Sequence, residues 1–237
     1  MTSSVSEEII RSNVSTICEQ ISIHCSRAAR PVEDVQLVAV TKYAELSWMR
    51  CLQSVLPAVR FGENRPQQLA ERRAQFDGAE WHLIGQLQRN KVRLAVANAD
   101  VIHSVDSVRL LKRVNDVAGE LSQSIRVLLQ VNVSGEDSKS GFAPDGLRRV
   151  WEEILEQSWF IEISGLMTMA PEVEDPEDAR PFFRELAMLR EELRGFVGNP
   201  AIHLQELSMG MSGDFGVAVE EGATLVRVGS ALFEGLS

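Results

Sequence analysis

The sequence lacks any long hydrophobic run. No stretch comes near the roughly 20 consecutive apolar residues that a membrane-spanning helix requires, and Met1–Ile10 is polar and acidic, unlike a secretory signal. The 44% of hydrophobic and 24% of charged residues are close to the averages of folded globular proteins. We therefore expect a folded protein that does not act at membranes, and neither a disordered chain nor a coiled coil.

Cysteine is also scarce. Cys18, Cys25 and Cys51 are odd in number and form no C-x-x-C pair, which favours free thiols in the reducing cytoplasm over a disulfide framework. The spacing of seven residues between Cys18 and Cys25 places both on one helical face, and we expect both to be buried. Without paired cysteines or an H-E-x-x-H motif, no metal site is expected.

Positively charged residues are also fewer than negatively charged ones. The 34 acidic residues outnumber the 24 basic ones and give a net charge of −10, which would repel nucleic-acid phosphates and anionic lipids. Lysine is particularly rare, because 20 of the basic residues are arginines and the four lysines are Lys42, Lys91, Lys112 and Lys139. This preference for arginine makes the position of each lysine informative.

Short apolar runs rich in β-branched residues alternate with longer segments of helical period. The runs predict eight strands: Val35–Thr41, Val59–Phe61, Trp81–Ile84, Val101–Val105, Ile125–Val133, Ile161–Met169, Glu206–Met209 and Leu225–Val228. The other segments predict helices: Glu7–Ala29, Leu46–Leu56, Pro66–Phe76, Asn90–Asn98, Val108–Leu121, Pro144–Gln157, Pro176–Phe196 and Val217–Glu221.

This alternation predicts an α/β fold, a single (β/α)8 TIM barrel that occupies residues 1–237 as one domain. An open doubly wound sheet is the alternative. The missing G-x-G-x-x-G fingerprint argues only against the dinucleotide-binding versions of that sheet.

Functional residues in such a barrel gather where the strands run into the following loops. Lys42 directly follows the first predicted strand. Desolvation at a pocket floor would favour the neutral amine, and a neutral amine can attack an aldehyde to form a Schiff base. A lysine whose charged end reaches out of the strand into solvent is the alternative.

Two loops rich in glycine and serine follow the last two predicted strands. Leu207–Asp214 carries two serines and two glycines, and Val226–Ser230 leads into a short helical turn. Each loop alone is consistent with an ordinary turn. Backbone amides and hydroxyls of such loops also bind anions, and the loops after strands seven and eight of this architecture frequently bind phosphate. With Lys42 at a strand end, both loops together predict a phosphate-bearing aldehyde as the ligand.

Eight segments match a known family in its own order and cover nearly the whole chain: Val38–Lys42, Phe61–Arg65, Trp81–Lys91, His103–Asp106, Ser138–Gly141, Gly165–Met169, Leu207–Ser212 and Val226–Ser230. On these segments the chain resembles the YggS/PROSC family of pyridoxal 5′-phosphate (PLP) homeostasis proteins. The resemblance implies a barrel like the N-terminal domain of alanine racemase, with PLP as the cofactor and Lys42 as the Schiff-base lysine.

The resemblance also implies the other cofactor-binding residues. Around the phosphate it implies Ser208, Gly210, Ser212, Gly229 and Ser230. Arg227 would face the pyridine nitrogen, and Asn64 would contact the cofactor near its ring or phosphate. No residue is assigned a catalytic role.

An arginine at the pyridine nitrogen has a chemical consequence. A guanidinium, with a pKa of roughly 12 or more, does not yield its proton to the ring, so the ring stays neutral and is a weak electron sink. Carbanion chemistry is then disfavoured. The alternative role of Arg227 is a salt bridge to a neighbouring acid.

These expectations favour a PLP-binding protein of intracellular vitamin B6 and amino-acid homeostasis without robust catalytic activity. Its further partners would be amino acids or PLP enzymes that lack their cofactor. The main alternative is a small PLP-dependent amino-acid racemase that uses Lys42 as one base and either water or Tyr43, the only tyrosine, as the other. The Tyr43 side chain is, however, expected to point away from that of Lys42.

A sugar-phosphate aldolase that uses Lys42 directly and an adaptor that binds another protein are two further alternatives. The expected oligomeric state follows from the resemblance. The β domain that supplies much of the dimer contact in alanine racemase has no counterpart in these 237 residues. We therefore expect a monomer.

Overall fold

The computed structural model describes residues 3–56, 58–136, 139–196 and 198–236. Ser138, part of one matched segment, lies outside them. The strands are β1 (Gln36–Val40), β2 (Arg60–Glu63), β3 (Glu80–Leu83), β4 (Val101–Val105), β5 (Arg126–Gln130), β6 (Glu162–Met167), β7 (Ile202–Ser208) and β8 (Leu225–Val228).

The strands pair in parallel in their sequence order and form a closed barrel. The closing pair joins β1 to β8, where Val38 lies opposite Arg227 and Ala39 opposite Val228. The predicted (β/α)8 barrel is therefore confirmed, and the open doubly wound sheet is excluded.

As predicted, one helix precedes the first strand and the others lie between strands. They are α1 (Ser3–Arg27), α2 (Leu46–Val55), α3 (Pro66–Arg73), α4 (Val92–Asn98), α5 (Val108–Leu121), α6 (Pro144–Glu156), α7 (Arg180–Arg194) and α8 (Phe215–Glu220). Short 3₁₀ turns precede α4 and α7, at Arg89–Lys91 and Pro176–Ala179. No helix in the described part of the chain combines the length and the apolar character needed to cross a membrane.

The N-terminal helix completes the outer layer of the barrel. β8 is followed only by a 3₁₀ turn, Ser230–Phe233. α1 packs against this turn, α2 and α8, and so occupies the place that a helix after β8 would fill. Its buried stripe runs along one face through Ile10, Val14, Ile17, Ile21 and Cys25.

The prediction that Cys18 and Cys25 are both buried is wrong for Cys18. Cys25 is buried and Cys18 is exposed. Cys25 lies at the edge of the buried stripe, and seven residues of a helix with 3.6 residues per turn place Cys18 about 20° beyond that edge. Both thiols, like that of Cys51, are free.

The barrel interior is filled with side chains and charged at one end. Its apolar layer consists of Val38, Val101, Leu128, Met167 and Leu225, as expected for a packed barrel rather than a pore. At the N-terminal ends of the strands, Glu80 pairs with Arg60 at 2.9 Å and also with Arg126, which pairs with Glu206 at 3.2 Å. The opposite end, where the strands run into their following loops, carries the candidate site.

Candidate functional site

Lys42 lies at the C-terminal end of β1. Val38 faces the barrel interior, and the two-residue period of a strand places Val40 and Lys42 on the same side. The Lys42 side chain is half-buried. Its Nζ lies 5.1 Å from the ring centroid of Tyr43, which is 87% exposed. The prediction that the two side chains point apart is therefore wrong, because the aromatic ring lies against the amine.

Helix α3 holds the loop that carries Lys42. Arg72 donates from Nη1 to the carbonyl oxygen of Thr41 at 2.5 Å and from Nη2 to that of Ala44 at 2.7 Å. Gln68 donates to the carbonyl oxygen of Lys42 at 3.0 Å. Because side chains of one helix satisfy three backbone acceptors, the position of the Lys42 backbone depends on α3.

A buried carboxylate anchors this arrangement from behind. Glu63 is fully buried and accepts hydrogen bonds from Thr41 Oγ1 and Arg72 Nη1, both at 2.6 Å. Burial raises the pKa of Glu63, and the bonds from Thr41 and Arg72 oppose that rise. The Arg72 guanidinium thus connects a buried acid with the Lys42 loop.

Two backbone amides converge on a hydroxyl beside β1. The N–H groups of Gly229 and Ala231 point to Ser212 Oγ, at 3.2 and 3.5 Å. A Cβ added to Gly229 would lie 3.3 Å from Val40 Cβ, so the loop approaches β1 closely at this point. The two amides and the hydroxyl form a small polar cradle, in which the Ser212 O–H remains available to donate to an anion.

Gly210 and Ser230 have different surroundings. Gly210 is buried with φ +90°, and a Cβ there would lie only 2.6 Å from Ala218 Cβ, so the position requires glycine. Its carbonyl oxygen accepts the N–H of Arg227 at 3.0 Å, which joins the two loops. Ser230 is exposed and begins the 3₁₀ turn after β8.

Ser208 lies with Arg227 rather than with Ser212. The residue is fully buried, and its Oγ accepts a hydrogen bond from Arg227 Nη1 at 2.5 Å. The same Oγ lies 2.8 Å from His103 Nδ1. This hydroxyl is therefore shared between Arg227 and His103, and the position of Ser208 around the phosphate stays a prediction.

Arg227 is a buried cation. It is 4% exposed, and its Nη2 donates to the carbonyl oxygen of Thr168 at 2.8 Å. Burial lowers the pKa of Arg227 to about 10, while Asp214 acts in the opposite direction. The guanidinium therefore remains protonated at neutral pH. No carboxylate of the described residues lies within ion-pair distance of it, so the alternative role in a salt bridge is not what the structure contains.

Asn64 follows β2 next to the Lys42 loop. Val40 pairs with Gly62, and continuing that register places Asn64 opposite Lys42. Its side chain is half-buried. A Cβ on Gly85 would lie 2.2 Å from the carbonyl oxygen of Asn64, so a glycine there lets the third strand's loop pack on the Asn64 backbone.

Sequence reasoning missed the residues that support the site from behind. Arg72 and Gln68 act on backbone atoms, and Thr168 contributes only its carbonyl oxygen. No side-chain pattern encodes such roles. The carbonyl of Thr168 lies within the matched segment Gly165–Met169, which was a usable positional signal.

The site as a whole combines an amine, a cradle of amides and a buried guanidinium on two neighbouring strands, β1 and β8. A primary amine attacks an aldehyde, amides bind an anionic tail, and a guanidinium donates to a ring acceptor. The residues therefore fit PLP, which carries an aldehyde, a phosphate and a ring nitrogen that accepts a hydrogen bond.

Comparison with known proteins agrees with this geometry. The family model described as "Alanine racemase, N-terminal domain" matches residues 15–236. A protein of Aquifex aeolicus named "Pyridoxal phosphate homeostasis protein" is 38% identical over 222 residues, which cover 93% of this chain and 95% of that one. The structure of PipY from Synechococcus elongatus with PLP bound has a TM-score of 0.80 at 35% identity and covers 94% of this chain and 99% of that chain.

Alanine racemase of Clostridium difficile shares the fold at lower similarity, with 14% identity and a TM-score of 0.69 over 95% of this chain and 56% of that chain. The protein is therefore a member of the class built on the barrel of the alanine racemase N-terminal domain. Within that class, the identity to curated relatives over nearly its full length shows that the chain belongs to the family of pyridoxal phosphate homeostasis proteins.

Proposed function

We propose that this protein binds PLP at the C-terminal end of its barrel and acts in intracellular PLP and amino-acid homeostasis. The observation that carries the proposal is the juxtaposition on β1 and β8. Lys42 follows β1, and the cradle of Gly229, Ala231 and Ser212 packs against Val40 of the same strand. The names of the relatives and the PLP-bound state of PipY support the same ligand.

PLP, when bound, supplies an aldehyde that condenses with a primary amine and a ring that withdraws electrons when its nitrogen is protonated. In the proposed site, Lys42 provides the amine and holds the cofactor as a Schiff base. Ser212 would donate its O–H to the phosphate, and Ser208, Gly210, Gly229 and Ser230 would also lie around it. Asn64, which the register of β1 and β2 places opposite Lys42, orients the ring.

Arg227 makes the proposed site poorly suited to carbanion chemistry. Its guanidinium stays protonated at neutral pH and can only donate to a ring nitrogen. The nitrogen then remains without a proton of its own, and the ring is a poor electron sink. This arrangement favours holding and releasing the cofactor over rapid turnover of amino acids, and we assign no residue a catalytic role.

Colour tests this proposal directly. The protein loaded with PLP should be yellow, and Lys42→Ala should lose the absorbance of the Schiff base while keeping a folded circular-dichroism spectrum. Lys112→Ala is the matched control, because Lys112 pairs with Glu153 at 2.6 Å on the surface and should keep full colour. Full-strength colour in Lys42→Ala would refute the assignment, and colourless wild-type protein would favour the aldolase alternative.

One observation favours the racemase alternative. The phenol ring of Tyr43, the only tyrosine, lies against the Lys42 amine, so an acid/base group is present at the site. A racemase would turn over common amino acids at a rate near the ~10 s⁻¹ typical of enzymes and lose that activity in Tyr43→Phe. Racemisation assays with wild type and this variant distinguish the two functions.

We further propose that residues 1–237 form one domain and that the protein is a cytoplasmic monomer. The closing β1–β8 pair and the packing of α1 on α8 join both ends of the chain in one structure. The three free cysteines fit a reducing compartment. A single cooperative unfolding transition and a monomer mass in sedimentation equilibrium are the expected results.

Amino acids and PLP enzymes without cofactor are the proposed further partners, and PLP release in their presence is the corresponding assay.

A further inference from the structure

Four buried side chains on four strands form one hydrogen-bonded chain through the barrel. Arg227 on β8 donates to Ser208 Oγ on β7 at 2.5 Å, and this oxygen lies 2.8 Å from Nδ1 of His103 on β4. His103 Nε2 lies 2.7 Å from Nδ1 of His82 on β3. None of the four is more than 4% exposed. Because β4 and β7 are not neighbours in the barrel, the chain crosses its interior.

The chain leads to a carboxylate at its far end. Glu80 Oε2 lies 3.7 Å from His82 Nε2, a buried nitrogen without a hydrogen-bond partner among the described residues. The imidazole of His82 lowers the pKa of Glu80 to about 2, with help from Arg126 and against the effect of burial. Glu80 is therefore ionised at neutral pH, and His82 Nε2 faces a negative charge.

This charge selects one direction for the hydrogen bonds. An N–H at His82 Nε2 faces Glu80 favourably, whereas a lone pair there would face an anion. His82 Nδ1 is then the acceptor, so His103 Nε2 carries its proton and His103 Nδ1 accepts the Ser208 O–H. Burial lowers the pKa of His103 well below its ordinary value, which agrees with a neutral ring that carries one proton.

We propose that His103, held in this tautomer by His82 and Glu80, is a positioning residue that turns the lone pairs of Ser208 toward Arg227 and so aims the guanidinium at the ring of the bound cofactor. Arg227 donates to Ser208, Ser208 to His103 and His103 to His82, and bonds aligned in this way strengthen one another. The role rests on the proposed function, because it requires a ligand with a ring acceptor. The direction of the bonds does not require the ligand.

The direction is measurable in the protein alone. The chain has four histidines, and ¹⁵N–¹H spectra of the imidazoles distinguish the two tautomers once His82→Gln and His103→Asn have assigned the signals. The proposal predicts protonated Nε2 and unprotonated Nδ1 in both His82 and His103. Protonation of Nδ1 in either ring would overturn it.

Ligand binding tests the positioning role. His103→Leu removes the acceptor for Ser208 and should weaken PLP binding by roughly three- to tenfold, the cost of one hydrogen bond. It should leave unchanged the binding of an analogue whose ring nitrogen is replaced by C–H, because that ring offers Arg227 no acceptor. His103→Asn keeps an acceptor near Nδ1 and should bind PLP within about twofold of wild type. In a Ser208→Ala background, His103→Leu should have no further effect.

Ser104→Ala is the matched control, because Ser104 is also buried on β4, next to His103, but donates to the carbonyl oxygen of Gly85 at 2.7 Å and to no member of the chain to Arg227. It should bind both ligands as wild type does. Equal weakening of both ligands by His103→Leu would mean a merely structural role and overturn the inference alone. Wild-type protein that binds neither ligand would overturn the proposed function and the positioning role with it.

Discussion

Single residues on two adjacent strands give this site its chemistry. Tyr43 is the only tyrosine and Lys42 is one of four lysines in the sequence, and they lie together at the end of β1. On β8, Arg227 is buried without a carboxylate partner among the described residues, which is costly unless other groups satisfy it. Ser208 Oγ and the Thr168 carbonyl do so in this structure. A buried cation at a strand end is thus held ready for a ligand atom.

Ser212 provides a prediction at this scale. Its Oγ accepts two backbone N–H groups, and we expect it to contact the phosphate. Ser212→Ala should weaken PLP binding by about tenfold, as for the loss of a hydrogen bond to a charged group. It should change the binding of pyridoxal, which lacks the phosphate, by less than about twofold. Absorbance titrations with both aldehydes measure the difference, and an equal loss for both would place Ser212 away from the phosphate.

At the scale of elements, α3 controls the loop that carries the lysine. Arg72 is 12% exposed and Glu63 fully buried, so Arg72→Met would leave an acid buried without its partner. We predict a decrease of about 3 kcal/mol in the free energy of unfolding. Adding Glu63→Gln should recover part of it, because the unpaired charge is then gone. Urea denaturation measures both values, and a double variant less stable than Arg72→Met would contradict this account.

The same element supports a second readout for these variants. Arg72 donates to the carbonyls on both sides of Lys42, those of Thr41 and Ala44. Glu63→Gln does not restore these donors, so the double variant should regain stability without regaining wild-type affinity for PLP. The comparison separates the contribution of the buried pair from that of the loop.

The order and type of the elements could be predicted because their patterns are local. Val101–Val105, Val108–Leu121 and Leu225–Val228 have the predicted boundaries. β7 begins four residues before the predicted Glu206, at Ile202. Its first half contains exposed polar residues and Leu204 with φ +47°, and its pairing with β6 shifts register between Ile163 and Gly165. Such an irregular strand gives a weak apolar signal.

The candidate site was predictable only in part, for a related reason. Lys42 and the Gly229 loop follow strand ends, and such positions can be identified from the order of elements alone. The contact between His103 and Ser208 joins residues 105 positions apart across the barrel. It depends on closure and on register shifts in the β4–β5, β5–β6 and β6–β7 pairs. Side-chain type in the sequence carries no information about such a contact.

For the whole molecule, the barrel couples its two ends. Arg60, Glu80, Arg126 and Glu206 join four strands at the N-terminal end. From Glu80 the histidine chain runs through the interior to Arg227 at the other end. The ion pairs at one end and the proposed positioning of Arg227 at the other therefore share one carboxylate, that of Glu80.

Glu80 makes the stability of the molecule depend on pH in a defined range. Its folded pKa of about 2 lies below the ordinary value of 4.5, so its stabilisation is complete above pH 4.5 and is lost as the pH falls toward 2. Glu80→Gln should reduce the free energy of unfolding by about 3 kcal/mol at neutral pH. The difference from wild type should shrink steadily below pH 4.5 in urea denaturation at stepped pH.

Glu153→Gln is the control for this profile, because Glu153 is 47% exposed and its ion pair with Lys112 lies at the surface. It should lie within about 0.5 kcal/mol of wild type at every pH. A difference between wild type and Glu80→Gln that stays constant down to pH 2 would contradict the proposed electrostatic role.

The most direct measurement of the central claim is the covalent position of the cofactor. Wild-type protein loaded with PLP is reduced with borohydride, digested and mapped by mass spectrometry. The four lysines and the N-terminal amine are the candidate positions. We predict a stable pyridoxyl modification on Lys42 alone, present at a stoichiometry close to one. Modification of Lys91, Lys112 or Lys139 in place of Lys42, or none at all, would contradict the account.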